Sequence, residues 1–367
     1  MLTIIIFILI LTVLVLIHEA GHFFVAKLLK IKVEEFGFGL PPRAWGKKIG
    51  ETIYSLNWLP IGGFVKLFGE DEAGAGKLKF KVEKLKGSSS RAFYARPGWQ
   101  KAFVVIAGVL MNFILSIFLV SVLFSAVGET IPTDNIVVNQ VLKDSPADKA
   151  GLKAGDVIEY LNGTKITNTA QLILETKKHE GEEVSLRVFS NGMEKIVSVT
   201  PRKDFPKGEG PMGVAITQKL ETKKYSWFEA PVIGTKITFE RSVAMLKGFV
   251  GIVGQLFSTG KPPEGVAGPV GIAQLTGVFC QNVPSCLDFT SVLSLNLAII
   301  NLLPIPALDG GRLFFILFAL VTRKKVHPAF ESYAHAIGMA ILLALIALIT
   351  FHDIARIITG QPIFPKQ

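Results

Sequence analysis

Cysteine is almost absent from this chain. Only Cys280 and Cys286 occur in 367 residues, which excludes a multi-bridge disulfide framework and a thiolate-based zinc site. Charge is also scarce: 19% of residues are Asp, Glu, Lys or Arg, while half are apolar. Residues 1–17, 102–127 and 289–308 carry no charge at all. A mean hydropathy of +0.46 excludes an ordinary soluble globule and fits a polytopic membrane protein with one polar domain. No internal repeat is visible, which argues against a repeat-built transporter. The N-terminal run lacks a basic n-region and a small-residue cleavage site before His18, so it reads as a retained span and not a removed signal peptide.

What is present starts with Leu16-Ile17-His18-Glu19-Ala20-Gly21-His22, inside the first hydrophobic run. His18 and His22 are four apart and share one face of a helix, the spacing that lets two imidazoles grip one zinc ion. Glu19 lies beside them, placed to take a proton from an attacking water. A lone histidine on an apolar face is usually a packed core residue. Three polar groups at ligand spacing at membrane depth reverse that expectation, because ionisable groups are costly there.

The net charge of +10 could indicate nucleic acid. The basic residues instead cluster in loops beside hydrophobic runs, so the membrane explains them and no nucleic-acid partner is expected. Four transmembrane segments are predicted. Residues 1–30 form the first helix with the zinc motif. Residues 31–98 follow with 14 Lys or Arg against 7 acids from 30 to 101, which makes them cytoplasmic and puts the N-terminus outside. Two alternating stretches within them, 31–39 and 52–58, read as strands. The apolar, glycine-rich run 59–67 suits a membrane-reentrant β-hairpin, with an ordinary surface hairpin as the alternative. Residues 73–91 are rich in Gly, Lys and Ser and read as mobile.

Residues 99–127 form the second span. Asn112 is its one strongly polar interior group and reads as an interhelical hydrogen bond. Residues 128–217 carry 11 Lys or Arg against 13 acids and read as an extracytoplasmic α+β domain. Its strands are punctuated at Asn162-Gly163 and Asn191-Gly192, and a helix is capped by Asn168. Residues 218–286 are an amphipathic helix and linker, lying on the outer membrane surface or packed on the spans as a connector. Cys280 and Cys286 fall on that outer side, so a disulfide between them is an expectation.

The third transmembrane segment, 287–322, is interrupted by Asn301-Leu302-Leu303-Pro304-Ile305-Pro306-Ala307-Leu308-Asp309-Gly310. Its two prolines must break the helix, and freed backbone at that depth is tolerated only where it is buried or lines a polar cavity. A cytoplasmic loop at 323–332, a fourth helix at 333–357 and a tail at 358–367 complete the chain. A hydrolytic zinc usually has three protein ligands and one open position. Asp309, Glu331, His335, His352 and Asp353 offer the chemistry. Depth along the helices sets His352 and Asp353 aside, and leaves Asp309, Glu331 and His335.

The His18–His22 motif and the Asn301–Gly310 run resemble the two signatures of the site-2 protease family of intramembrane zinc metalloproteases. Gly37-Phe38-Gly39, Pro60-Ile61-Gly62-Gly63-Phe64-Val65-Lys66 and Gly268-Pro269-Val270-Gly271-Ile272-Ala273 are similar to its bacterial RseP-like branch. Ser145-Pro146-Ala147-Asp148-Lys149-Ala150-Gly151-Leu152 and the residues through Ile158 resemble a PDZ domain, which is also the family's insertion between spans two and three. The resemblance implies one Zn2+ per chain, held by His18, His22 and Asp309, with Glu19 catalytic. It implies that Asn301, with Pro304 and Pro306 in the same run, lies beside the substrate strand. It also implies that Gly37, Phe38 and Gly39 belong to a hairpin that holds substrate.

The substrates implied are transmembrane segments of single-pass proteins, such as anti-sigma factors, or signal-peptide remnants, cleaved in a bacterial cytoplasmic membrane. A C-terminal peptide could dock on the PDZ domain, or that groove could only exclude bulky substrates. Two departures stand out: Val109 occupies a position where many relatives have proline, and there is room for one PDZ domain where many carry two. The rival readings are a transporter with buried ionisable residues and a zinc-binding pseudoprotease that holds membrane clients.

Overall fold

The computed structural model describes residues 2–70, 89–190, 192–206, 208–259, 267–324 and 326–360. In chain order these form α1 (Leu2–Leu28), β1 (Val33–Ile49), β2 (Thr52–Leu67) and α2 (Gly98–Ala126). Next come β3 (Glu129–Val141), α3 (Pro146–Lys149), β4 (Val157–Leu161), β5 (Thr164–Lys165) and α4 (Thr169–Lys178). Strands β6 (Val184–Ser190), β7 (Met193–Val199) and β8 (Val214–Lys223) follow. The chain closes with α5 (Ala230–Thr259), α6 (Pro269–Phe279), α7 (Val283–Leu302), α8 (Asp309–Thr322) and α9 (Pro328–Ile358). Most of the Gly, Lys and Ser-rich stretch read at 73–91, residues 361–367 of the tail and Asn191 lie outside the described residues.

The chain divides into two compact units. One is drawn from Met1–Ala126 and Ser226–Gln367, the other is Val127–Tyr225. In the first, Leu2–Leu28, Gly98–Ala126, Val283–Leu302 and Ala329–Ile358 are long and apolar enough to cross a membrane. Helix α2 runs unbroken through Val109, because valine keeps the N–H that proline would remove. Helix α7 starts at the Asn282 cap, whose side chain accepts from Ser285 N–H. It stops at Leu302, where Pro304 and Pro306 cannot continue the ladder. The freed loop is gripped from two sides. A Cβ on Gly310 would overlap the Leu303 carbonyl, and one on Gly338 of α9 would overlap that of Pro306. Helix α5 packs along α2, where Gly234 meets Ser121. Its Arg241 reaches Asp288 of α7 at 2.8 Å. That is the packed-connector alternative.

Strands β1 and β2 are longer than their alternating stretches. Residues 35–38 pair with 66–63 on one side and 53–56 on the other, while 43–49 return onto 57–52. The sheet packs on α1, burying Ile31, Val33 and Leu67 with Ala26 and Val104.

The second unit is a sheet of order β7-β6-β4-β3-β8, with β5 paired to β4. Asn162 and Gly163 both have positive φ, 48° and 79°, as the tight turn between β4 and β5 requires. Its core is purely aliphatic at Ile136, Ile158, Leu161, Leu172 and Leu186. Strand β8 carries this unit past residue 217.

Candidate metal centre

Helix α1 presents His18 and His22 on one face, and the first turn of α8 presents Asp309 against them. His18 Nε2 lies 3.0 Å from Asp309 Oδ2, and His22 Nε2 lies 3.2 Å from the same oxygen. The two Nε2 atoms are 3.2 Å apart. Among the described residues, these three form the one group of His, Cys, Asp and Glu side chains placed to hold a metal.

The far side of each imidazole decides what the near side offers. His22 Nδ1–H donates to the Val104 carbonyl at 2.8 Å, which leaves a lone pair on Nε2. Nδ1 of His18 meets the amide of Asn112 at 3.3 Å, and Asn112 Oδ1 is a buried acceptor with no partner among the described residues. Turning the amide lets Oδ1 accept from His18 Nδ1–H, which leaves the His18 Nε2 lone pair facing Asp309. Two lone pairs and a carboxylate oxygen then converge, an arrangement that needs a cation. Tetrahedral zinc at about 2.0–2.1 Å from each ligand sets them roughly 3.3 Å apart. The donor set and its spacing fit zinc.

Close helix packing makes this possible. A Cβ on Gly21 would overlap the Ala107 carbonyl of α2, and one on Gly108 would overlap His22 Nε2. Ser294 of α7 donates to the Asn112 carbonyl at 2.8 Å, fixing α2 from behind. Glu19 shares a cavity of about 950 Å³ with the three ligands. Gly63 of β2 lies against Glu19, with room for no more than a Cβ. Arg43, Phe64, Glu70, Arg312 and His335 are also in its wall, and Arg312 is ion-paired with Glu70.

The model of peptidase family M50 matches residues 6–345. The chain belongs to peptidase family M50. A Clostridium acetobutylicum relative, named provisionally as a zinc metalloprotease, is 35% identical over 93% of this chain and 94% of its own. The zinc metalloprotease RasP of Geobacillus kaustophilus is 29% identical over 96% and 98%. The regulator of sigma-W protease RasP of Bacillus subtilis is 27% identical over 97% and 99%. Among solved structures, the PDZ domain of a SdrC-like protein from Listeria monocytogenes is 20% identical over 24% of this chain and 92% of its own, with a TM-score of 0.22. This M50 chain is thus a multi-pass intramembrane zinc metalloprotease of the site-2 type, acting on membrane proteins. Neither the transporter nor the pseudoprotease reading is favoured.

The remaining expected residues of the M50 chain are placed differently. Asn301 is half-buried in the last turn of α7, Pro304 is exposed and Pro306 packs on Gly338. None of the three lines the cavity. Gly37 and Phe38 are already paired on both sides. Gly37 and Phe38 do lie in the β1–β2 hairpin, but a strand with two partners has no ladder groups left to offer. Gly39 turns the chain at φ 79°, and its carbonyl accepts from Asn57 at 2.9 Å. Both outer segments, 63–67 and 43–49, are paired on one side only, and Phe64 to Leu67 line the cavity.

Of the other ligand candidates, Glu331 lies outside the cluster and His352 is exposed. Asp353 is fully buried and accepts from Gly268 and Gly271 N–H at 3.0 and 2.7 Å. Its partner there is Arg356. His335 is bonded to Ala307. Asn112 was legible as an interhelical polar contact, but not as the partner of a metal-site histidine.

Proposed function

We propose that Glu19 is the general base and later the general acid of peptide hydrolysis, beside one zinc held by His18, His22 and Asp309. The observation that carries this is the convergence of two imidazoles and one carboxylate oxygen at 3.0–3.2 Å in the cavity that also holds Glu19. A zinc ion held there supplies Lewis acidity, making water a stronger acid and a carbonyl more electrophilic. Glu19 takes the proton of the attacking water and delivers it to the leaving amine.

The substrate is a transmembrane segment, and its helix must open before a carbonyl is reachable. The one-sided 63–67 segment offers main-chain groups to the opened strand, with the Gly37–Gly39 turn supporting it from inside the sheet. Asn301, Pro304 and Pro306 then act as the rim over which the substrate enters. Anti-sigma factors and signal-peptide remnants are the substrate classes to test first.

Residues Val127–Tyr225 are a PDZ domain on this reading, supported by the element order and the Ser145–Ile158 run. It faces outside, holds a C-terminal peptide or excludes bulky substrates, and the chain sits in a bacterial cytoplasmic membrane. The Cys280–Cys286 disulfide supports that orientation, since such bonds persist in oxidising compartments. Gly277, near this pair, packs against Thr3, so the N-terminus shares that side.

The test is cleavage of a membrane-segment peptide in detergent, with zinc counted by mass spectrometry. Glu19→Gln should retain zinc and lose turnover, and a chelator should silence the wild type. Full turnover by Glu19→Gln would sink the assignment.

A further inference from the structure

The wall of the cavity that holds His18, Glu19 and Asp309 contains an ion pair that neither the metal nor the base uses. Glu70 and Arg312 both belong to that wall, and Arg312 Nη1–H donates to Glu70 Oε1. The other carboxylate oxygen of Glu70 accepts from the Leu67 N–H at 3.3 Å. One carboxylate thus joins two distant elements. Leu67 ends β2, whose residues Phe64 to Leu67 line the cavity. Arg312 lies three residues after Asp309 on α8, so the two share a helix face.

Both ends of this bridge are anchored. After β2, Phe68 N–H donates to the Lys32 carbonyl at 2.9 Å, and Phe93 N–H donates to the Phe68 carbonyl at 2.8 Å. A Cβ on Gly69 would overlap Tyr94 and Ala92. At the other end, a Cβ on Gly311 would overlap the Ile305 carbonyl, so the first turn of α8 sits tight on the loop before it. The link between these two posts is a charge-assisted bond, stronger than a neutral one.

We propose that the Glu70–Arg312 bridge sets the register between the opened substrate strand and the metal. It ties the 63–67 edge to the helix that carries Asp309, so that one particular peptide bond of the strand lies at the zinc site. Strand pairing alone does not choose that bond, because a slip of two residues keeps every side chain on its face. Glu70 and Arg312 are positioning residues, acting through Leu67 and Asp309. The proposal rests on the proteolytic reading above, with the substrate strand on 63–67. The rival roles are a contact that only holds the metal site together, and a direct charge effect of Arg312 on Asp309 and of Glu70 on Glu19.

The test is cleavage of a membrane-segment peptide in detergent, with the cut bond read by mass spectrometry. Arg312→Gln removes the guanidinium, and Glu70→Gln leaves one acceptor oxygen for two donors. Each should lower kcat roughly 10- to 100-fold with KM within about twofold of wild type, and move part of the cutting to neighbouring bonds. Glu70→Asp keeps both charges and shortens the bridge by one methylene. It should lower kcat at least about threefold and spread the cuts in the same way. Zinc content should stay at the wild-type value in all three.

Cutting confined to the wild-type bond in all three variants overturns the proposal. Zinc lost from the Gln variants overturns it too, since the pair then holds the metal site. Wild-type kcat and a wild-type cut in Glu70→Asp overturn it in favour of the charge effect, and this variant decides if the Gln variants do not fold. The proteolytic reading fails separately, by chelator-insensitive cleavage or an active Glu19→Gln enzyme.

Discussion

Both units bury aliphatic residues, but the helical unit buries many more polar ones beside them. The unit at Val127–Tyr225 encloses Ile158, Leu161 and Leu186 with almost no exposure, as expected of a domain folded in water. The helical unit buries His18, Asn112, Ser291, Ser294, Asp353 and Arg356. It turns Leu2, Ile5, Phe118 and Ile341 outward. Lipid makes an apolar exterior free of cost, so packing and interior hydrogen bonds must join the helices instead. The consequence is functional. The metal-ligand cluster sits among these buried polar groups of the helical unit.

Substitutions can break that contrast, beginning with the largest effect. Gly108→Val pushes a branched side chain into the histidines. Zinc should fall below about a tenth of an equivalent, and cleavage should drop more than about 100-fold, read by metal analysis and peptide turnover. Asp353→Ala strands Arg356 and two glycine N–H groups. The expected cost is about 3–5 kcal/mol, measured by unfolding in detergent. Leu161→Ala cuts the aliphatic core of the other unit and should cost about 2–5 kcal/mol there. Hydrogen exchange should localise each loss to its own unit, and zinc lost on Leu161→Ala would break the comparison.

The smallest effect is electrostatic. Hydrogen bonds from Arg91 and Lys27 hold the Glu51 carboxyl down to about 2. Its folded value lies below the unfolded 4.5, so this stabilisation is full above about 4.5 and fades as pH falls toward 2. Solvent screening keeps it below about 1 kcal/mol. The difference in melting temperature between wild type and Glu51→Gln should shrink across that window.

Much of the centre was legible. The spacing of His18, Glu19 and His22 sufficed because four residues are one turn of a helix. Asp309 was harder. Chemistry and depth left Glu331 and His335 beside it, and family resemblance had to choose. The neighbours of the Gly37-Phe38 strand were not legible, because residues 53–56 fold back beside residues 35–38. No local pattern encodes that second neighbour. Asn112 showed its polarity in the sequence but not its partner, 94 positions away.

The sequence by itself determined the spans, the ligand types on α1, the break at Pro304 and Pro306, and the Asn162-Gly163 turn. Each follows from hydropathy or backbone preference within a few residues. Only the tertiary structure decided which carboxylate meets the imidazoles across 291 positions, and which tautomers they adopt. Those outcomes depend on which surfaces of distant helices touch, and short-range chemistry does not specify that.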